Sequence, residues 1–146
     1  MIRYVYVAGP MAKGDYMGNI RRAIEMGENL LKKGYTPFIP HLDFIWDLSY
    51  PKPAEEWLQW DFMWLRRCDA LIRLPGESVG ADREVKLARS INIPVFYTPE
   101  DLQHENTSLA DDSPHNDPRW KRKRYSVAST GIRASRKSRS KRSSRA

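Results

Sequence analysis

The chain has 146 residues, 40% of them hydrophobic and 11% aromatic, which predicts one domain with a genuine core and an additional tail. No run approaches the ~18 apolar residues of a membrane span, and the amino terminus lacks a signal-peptide pattern. We therefore expect a cytoplasmic protein with no membrane partner. The single cysteine, Cys68, cannot form an intrachain disulfide, and no Cys/His cluster has metal-ligand spacing, so we expect neither a metal ion nor a cofactor.

The net charge of +7 is unevenly distributed along the chain. Twelve of the 25 basic residues, and no acidic residue, lie from Arg119 onward. The first 118 residues keep 13 basic and all 18 acidic residues, a net charge of −5, so the basic character does not belong to the folded domain. Residues 119–146 are poor in apolar side chains, which predicts a disordered Arg/Lys/Ser-rich tail. Such a tail would bind nucleic-acid phosphates without sequence preference; a merely solubilising extension is the alternative.

Segments typical of strands and helices alternate along the first hundred residues. Residues 3–8 are aromatic and β-branched and end at a Gly-Pro pair, which predicts a strand and a turn. Residues 19–33 repeat apolar side chains every three or four positions, which predicts an amphipathic helix. Residues 35–39 predict a second strand, which Pro37 would place at a sheet edge. The remaining predicted elements are an aromatic loop at 41–53, a helix at 55–68, a strand at 70–74, a helix at 82–90 and a strand at 93–97.

This alternation predicts an α/β fold: a small three-layer domain with a four- to five-stranded, mostly parallel sheet of the flavodoxin or Rossmann type. We assign residues 1–100 to this domain, residues 101–118 to an acidic and polar linker and residues 119–146 to the tail. Ligands of such sheets lie beyond the carboxyl ends of the strands. The segments expected there are 9–18, the chain from 41 onward, and 75–81.

Asp61 is the more informative of two candidate acidic residues. Its neighbours one helical turn away, Trp57, Leu58, Trp64 and Leu65, are all apolar. A carboxylate in such surroundings loses hydration, which would raise its pKa and let it hold a proton near neutral pH. The alternative is an aspartate at the edge of a buried helix with its side chain turned to water.

Glu84 follows a loop suited to binding an anion. Ser78 and Gly80 are predicted at a helix amino terminus, where backbone N–H groups and a hydroxyl can bind a monophosphate. A carboxylate beside a phosphate site, with a second carboxylate on the preceding helix, suits cleavage at a sugar carbon. The alternative for Glu84 is a simple partner of the helix dipole.

The first glycine loop is less specific. Residues 9–14 contain Gly9 and Gly14 but match neither a Walker loop nor a GxGxxG fingerprint, so a tight turn is the plain alternative to a phosphate site. Tyr6 could place its hydroxyl at the sheet edge, or could simply be a core tyrosine.

Five segments together resemble the nucleoside 2-deoxyribosyltransferase superfamily. Within it the chain is most similar to the 2′-deoxynucleoside 5′-monophosphate N-hydrolases and to small phage and bacterial domains of uncharacterised function. The resemblance covers residues 2–98 and rests on the order and spacing of YVAGPM, PFIPH, WDFMWLRRCDALIRLPG, SVGADREVKLA and IPVFY.

The resemblance implies a role for each candidate residue. Glu84 matches the glutamate nucleophile that forms a covalent glycosyl-enzyme intermediate, Asp61 the aspartate that assists departure of the base or holds the sugar, and Tyr6 the tyrosine that orients the nucleophile. The remaining matches concern the 5′-phosphate: Ser78, Gly80 and Gly9, with Lys13 as a substitute for the arginine of the hydrolases.

The resemblance also implies a homodimer, because each site of the family is completed by a polar residue of the partner subunit. That residue follows the fourth strand, where Asn106 and Ser108 are the candidates.

The resulting hypothesis is an N-glycosidase that cleaves the N-glycosidic bond of a (deoxy)nucleoside 5′-monophosphate through Glu84. One alternative is a deoxyribosyltransferase that moves the sugar between bases. A second is a non-catalytic nucleotide-binding module tethered to nucleic acid by the basic tail.

Overall fold

A computed structural model of the protein describes residues 1–108. The predicted tail at 119–146, and the part of the predicted linker beyond residue 108, lie outside these residues. In chain order the elements are β1 (Tyr4–Ala8), α1 (Tyr16–Lys32), β2 (Thr36–Phe38), a 3-10 turn (Pro40–Leu42), α2 (Asp43–Ser49), α3 (Ala54–Leu65), β3 (Ala70–Arg73), α4 (Val79–Ser90), β4 (Val95–Phe96) and α5 (Pro99–Ser108). Among the described helices, none combines the length and the apolar character that crossing a membrane requires.

The four strands form one parallel sheet in the order β2-β1-β3-β4. Val5 on β1 pairs with Pro37 on one side and with Ala70 on the other, so β1 is a central strand. The strand that contains Pro37 lies at the edge, as predicted, because proline cannot donate a ladder hydrogen bond. The predicted α/β fold with a parallel sheet is confirmed.

Alternation along the strands separates two cores and hence two helical layers. Val5 and Val7 face one side of the sheet, where they pack with residues of α1 and α5: Ala23, Leu30 and Leu102. Tyr6 and Ala8 face the other side, where they pack with residues of α3 and α4: Leu65, Ala81 and Val85. This second side carries the chemistry described below, since it brings Tyr6 against the two helices that hold the predicted acidic residues.

Two helices begin three residues earlier than their apolar patterns predict. The Asp15 side chain caps α1 by accepting from the Gly18 amide at 3.0 Å, and Ser78 caps α4 by accepting from the Ala81 amide at 3.1 Å. Capping residues, rather than the first apolar position, therefore set these starts. As a consequence Glu84 lies in the second turn of α4, not the first, which removes the interpretation of Glu84 as a helix-dipole partner.

The prediction of an aromatic loop at 41–53 was wrong, because this segment contains α2 and most of the 3-10 turn. Further along the chain, the first residues assigned to the linker belong to α5. Neither helix has a repeating buried stripe: α2 has no buried residue, and Leu102 is the fully buried residue of α5. A capping signal was present for α5, because the Thr98 hydroxyl accepts from the Asp101 amide at 3.2 Å.

Candidate functional site

A cleft of about 570 Å³ opens at the carboxyl edge of the sheet, on the side of α3 and α4. Its walls come from the loop after β1, the segment after β2, α3 and the start of α4. These are the positions at which ligands of open parallel sheets bind. The cleft is lined by six of the seven predicted site residues, which are Gly9, Lys13, Asp61, Ser78, Gly80 and Glu84.

Tyr6, the seventh, is fully buried next to Glu84 and donates its hydroxyl to Glu84 Oε1 at 2.8 Å. Burial raises the pKa of Glu84 to about 7, although the Tyr6 hydrogen bond and the nearby Arg73 both act to lower it. Burial and the adjacent Glu84 carboxylate raise the pKa of Tyr6 well above its ordinary value. Tyr6 therefore stays protonated and serves as a fixed hydrogen-bond donor to Glu84.

Asp61 is 9% exposed, so its carboxyl is withdrawn from water as its apolar neighbours predict. Burial, the Glu84 charge and the Asp43 charge together raise the pKa of Asp61 to about 8. Its Oδ1 atom is buried and has no hydrogen-bond partner among the described residues. At neutral pH the cleft therefore holds a protonated Asp61 close to a Glu84 that is the first of the two to ionise.

Asp43, which the sequence analysis did not single out, is a third carboxyl group in this cleft. Burial raises its pKa, while a hydrogen bond with Asp61 lowers it, and the same bond raises the pKa of Asp61. The two carboxyl groups therefore interact, and this interaction favours the protonated form of Asp61. Asp43 is the first residue of α2, and the signal that could have found it is its position shortly after a strand end.

His41 was also missed, and it is 3% exposed at the same end of the cleft. Its Nε2 lies 2.9 Å from the Pro10 carbonyl oxygen, which can only accept, so Nε2 carries the ring proton. Burial lowers the pKa of His41, which keeps the ring neutral. Nδ1 is thus a bare acceptor, and it has no hydrogen-bond partner in the described part of the chain.

The start of α4 also lines the cleft. The Ala81 amide donates to Ser78 Oγ at 3.1 Å and the Asp82 amide to the Ser78 carbonyl at 3.0 Å, which leaves the Val79 and Gly80 amides at the helix start without intrahelical acceptors. A Cβ atom at Gly80 would come no closer than 3.9 Å to Ser78 Oγ, so this approach is open. Arg73 holds the preceding loop by donating to the Gly76 carbonyl and the Asp82 carboxylate, each at 2.9 Å. The start of α4 can therefore bind an anion through its backbone N–H groups and the helix dipole.

The first loop contributes less than predicted. At Gly9 a Cβ atom would lie 3.0 Å from Leu74 Cβ, so glycine allows the loop to pack against the end of β3. The Lys13 ammonium pairs with the Glu77 carboxylate, and both side chains are largely exposed. Lys13 thus lines the cleft as half of an ion pair rather than as a free cation.

An ion pair and an aromatic wall complete the rim. Arg83 donates twice to Glu55, at 2.7 and 3.0 Å, and joins α4 to α3; this bond lowers the pKa of Glu55 to about 2. On the far side, the Tyr16 and Phe44 rings meet edge to face with centroids 5.3 Å apart. Within residues 1–108, no group of three or more acidic, histidine or cysteine side chains is arranged to hold a metal ion.

Asn106 has a role different from the predicted one. Its side chain binds the Ile2 amide at 2.8 Å and the Ile2 carbonyl at 3.0 Å, which ties α5 to the start of the chain. Its polar atoms are therefore occupied within its own domain. The side chain of Ser108 lies outside what the structure describes.

Comparison with known proteins gives a family without an assigned activity. No curated protein matches the chain. The profile of a family described as a domain of unknown function, DUF7768, matches residues 3–98. This match spans all four strands of the sheet and the site built on them, while the similarity to the deoxyribosyltransferases stays a prediction from the motifs. Since the match covers about two thirds of its length, the chain belongs to the DUF7768 family.

Proposed function

We propose that the protein is an N-glycosidase that cleaves the bond between base and sugar in a (deoxy)nucleoside 5′-monophosphate. The observation that carries this proposal is the convergence on one cleft of Glu84, held by Tyr6 at 2.8 Å, and the buried Asp61, whose pKa is raised to about 8. Cleavage at an anomeric carbon needs these two functions: a carboxylate that attacks and an acid that protonates the leaving group.

The chemistry follows from the order in which the groups ionise. An ionised Glu84 forms a bond from a carboxylate oxygen to C1′ while the C1′–N bond breaks, and its electron pair leaves with the base nitrogen. The Asp61 proton goes to the departing base. Water then attacks C1′, releases Glu84 and returns a proton to Asp61, so both carboxyl groups end as they began.

The phosphate preference is supported by the start of α4. Its unpaired first-turn amides and the Ser78 hydroxyl face the cleft that also contains Glu84, two helical turns or less along the same helix. Anchoring the 5′-phosphate there would fix the sugar ring relative to the Glu84 carboxylate.

Free base is the product to measure. The protein is incubated with each deoxy- and ribonucleoside 5′-monophosphate and with the parent nucleosides, and free base is followed by chromatography. We expect turnover of monophosphates and a loss of about 10³-fold or more in Glu84→Gln. The matched control is Glu28→Gln, an exposed glutamate on α1, which should leave the rate unchanged.

The outcomes separate the competing hypotheses. Product formed only when an acceptor base is added would replace hydrolysis by sugar transfer. Turnover of none of these substrates, or full activity in Glu84→Gln, would overturn the enzymatic proposal and leave nucleotide binding without catalysis.

We also infer a homodimer, because α2 and α3 leave a large apolar surface uncovered. This α2–α3 surface consists of Ile45, Trp46, Leu48, Tyr50, Trp60, Met63 and Trp64, each at least 40% exposed. Monomeric domains rarely expose a contiguous patch of this kind, whereas obligate homodimers bury such patches.

A further inference from the structure

The cleft has a direction that follows from the order of its acidic residues. The Asp61 carboxyl interacts with the charges of both Glu84 and Asp43, so it lies near each of them. If C1′ of the sugar lies at Glu84, as the proposed function requires, the base extends past Asp61 toward Asp43. At that end Phe44 and Tyr16 provide aromatic surface against which a flat ring can pack.

This end of the cleft presents acceptors without donors. His41 Nδ1 is a bare lone pair on a side chain that is 3% exposed, and it has no partner among the described residues. Asp43 Oδ2 is a second buried acceptor for which the described residues supply no donor group, although the Asp43 carboxyl also interacts with that of Asp61. A buried acceptor that is left unpaired is destabilising, so a ligand that brings N–H donors to this end is favoured.

An exocyclic amino group fits these requirements. It has two N–H bonds, one for each acceptor, and it is bonded to a flat aromatic ring. A keto oxygen in the same place would face the Asp43 carboxylate and the His41 lone pair, which would repel it.

We propose that Asp43 and His41 form the recognition site for the exocyclic amino group of the base, so that the protein selects adenine and cytosine nucleotides over their keto counterparts. This inference rests on the proposed function, because it uses the position of C1′ to orient the substrate. It assigns specificity to two residues that follow β2, while Glu84, Asp61 and Tyr6 carry the chemistry.

The test compares matched nucleotides that differ in this one group. dAMP is paired with dIMP and dCMP with dUMP, and binding is measured in Glu84→Gln, which cannot turn substrate over, alongside kcat/KM in the unaltered protein. We expect the amino member of each pair to be preferred by about 10- to 100-fold. In Asp43→Asn, where an amide can donate as well as accept, this preference should fall to about threefold or less.

Asp47→Asn is the matched control, because Asp47 lines the same cleft but its Oδ1 already accepts from Trp57 Nε1 at 2.6 Å and from the Lys52 amide at 3.0 Å. It should keep the preference even if its overall activity falls, since the measured quantity is a ratio. Replacing His41 by Phe provides a second variant that should also weaken the preference.

Each other result is decisive. Equal binding of the two members, preference for the keto member, or a preference unchanged in Asp43→Asn would overturn the inference. Selective binding of amino bases with no turnover would support the recognition site and refute the glycosidase proposal. Turnover without base preference would support the glycosidase proposal and refute the recognition site. Binding of none of the four nucleotides would overturn both.

Discussion

Glu84 and Asp61 illustrate how burial prepares a pair of carboxyl groups for two different tasks. Both have raised pKa values, about 7 and about 8, and the main cause in each case is removal from water. The Tyr6 hydrogen bond favours the charged form of Glu84, while the Asp43 carboxylate favours the protonated form of Asp61. These neighbours therefore favour ionisation of Glu84 as the nucleophile and protonation of Asp61 as the acid. Because the two carboxyl groups interact, the two pKa values describe the pair and not either residue alone.

Replacing Tyr6 by Phe tests this separation through the pH dependence of kcat/KM. In the unaltered protein we expect a bell-shaped dependence of kcat/KM on pH. The value rises as Glu84 ionises near pH 7 and falls as Asp61 loses its proton near pH 8. Without the Tyr6 donor the pKa of Glu84 rises, so the acid limb moves to higher pH and the rate at pH 6 falls about tenfold. The basic limb should move little.

Tyr4→Phe is the control for this experiment, because Tyr4 lies on the same strand with its ring 45% exposed. An unchanged acid limb in Tyr6→Phe, or an equal change in Tyr4→Phe, would contradict the role assigned to the 2.8 Å hydrogen bond.

The same burial should make the fold less stable at high pH. A group whose pKa is raised on folding binds its proton more tightly in the folded protein, so its stabilising effect is complete below the ordinary pKa of 3.8 for Asp61 and is lost as the pH rises through about 8. Asp61→Asn removes this loss. We expect the melting temperature of the variant relative to the unaltered protein to rise by roughly 5 °C or more between pH 5 and pH 9.

Thermal melting followed by circular dichroism at pH 5, 7 and 9 measures this effect without any substrate. Glu28→Gln, which changes an exposed carboxylate on α1, should follow the unaltered protein at every pH. If Asp61→Asn loses as much stability between pH 5 and pH 9 as the unaltered protein does, the Asp61 carboxyl is not withdrawn from water.

At the scale of elements, α4 combines three tasks that its sequence separates by position. Ser78 caps the helix and leaves its first turn free for an anion, Arg83 binds Glu55 on α3, and Glu84 faces the buried Tyr6. Because consecutive helix residues differ by about 100° in direction, Arg83 can reach the rim while Glu84 points inward. The start of this helix therefore sets both the phosphate site and the nucleophile.

Two substitutions at Ser78 distinguish its structural task from binding. Ser78→Asp keeps a capping oxygen, so the melting temperature should be nearly unchanged, but its negative charge should raise the KM for monophosphates about tenfold or more. Turnover of the parent nucleosides should not change. Ser78→Ala, in contrast, loses the cap and about 1 kcal/mol of stability. If Ser78→Asp raises the KM for nucleotides and for nucleosides equally, the phosphate does not bind at the start of α4.

The elements that sequence alone predicts are those with a regular apolar pattern. The aromatic and β-branched residues of β1 predict the strand that places Tyr6, and the apolar neighbours of Asp61 predict that its carboxyl is buried. The segment after β2 gives no such pattern, since α2 buries no residue, and Asp43 and His41 were therefore missed. The interaction of Asp43 with Asp61 depends on how the chain turns back from α2 to α3, which is a tertiary property that no local spacing encodes.

At the scale of the whole molecule, the site and the α2–α3 surface are joined by a row of aromatic rings. Tyr6 stacks on Phe38 with centroids 5.6 Å apart, and Phe38 stacks on Trp64 at 5.3 Å. Trp60 and Trp46 continue the row with centroid distances of 6.0 and 5.5 Å. A partner that covers this surface would therefore contact the rings that support Tyr6 and thus Glu84.

If the protein is a homodimer, it should self-associate in solution, and one charged substitution on the α2–α3 surface should weaken that association. Met63 is 51% exposed on α3, so Met63→Lys can extend into water in a monomer but would bury an unpaired ammonium in a dimer. We expect the unaltered protein to sediment as a dimer at micromolar concentration and Met63→Lys to weaken association at least tenfold. Leu31→Lys is the matched control, because Leu31 is 53% exposed on α1, across the sheet from α3.

Sedimentation velocity over a range of concentrations measures the association constant, and circular dichroism checks that each variant keeps its fold. A monomeric unaltered protein, or an equal loss of association in Leu31→Lys, would contradict a dimer formed through this surface. Because the aromatic row connects the interface to Tyr6, a folded monomeric Met63→Lys should also lose activity by several-fold. That loss should be reduced at high protein concentration, where mass action restores the dimer.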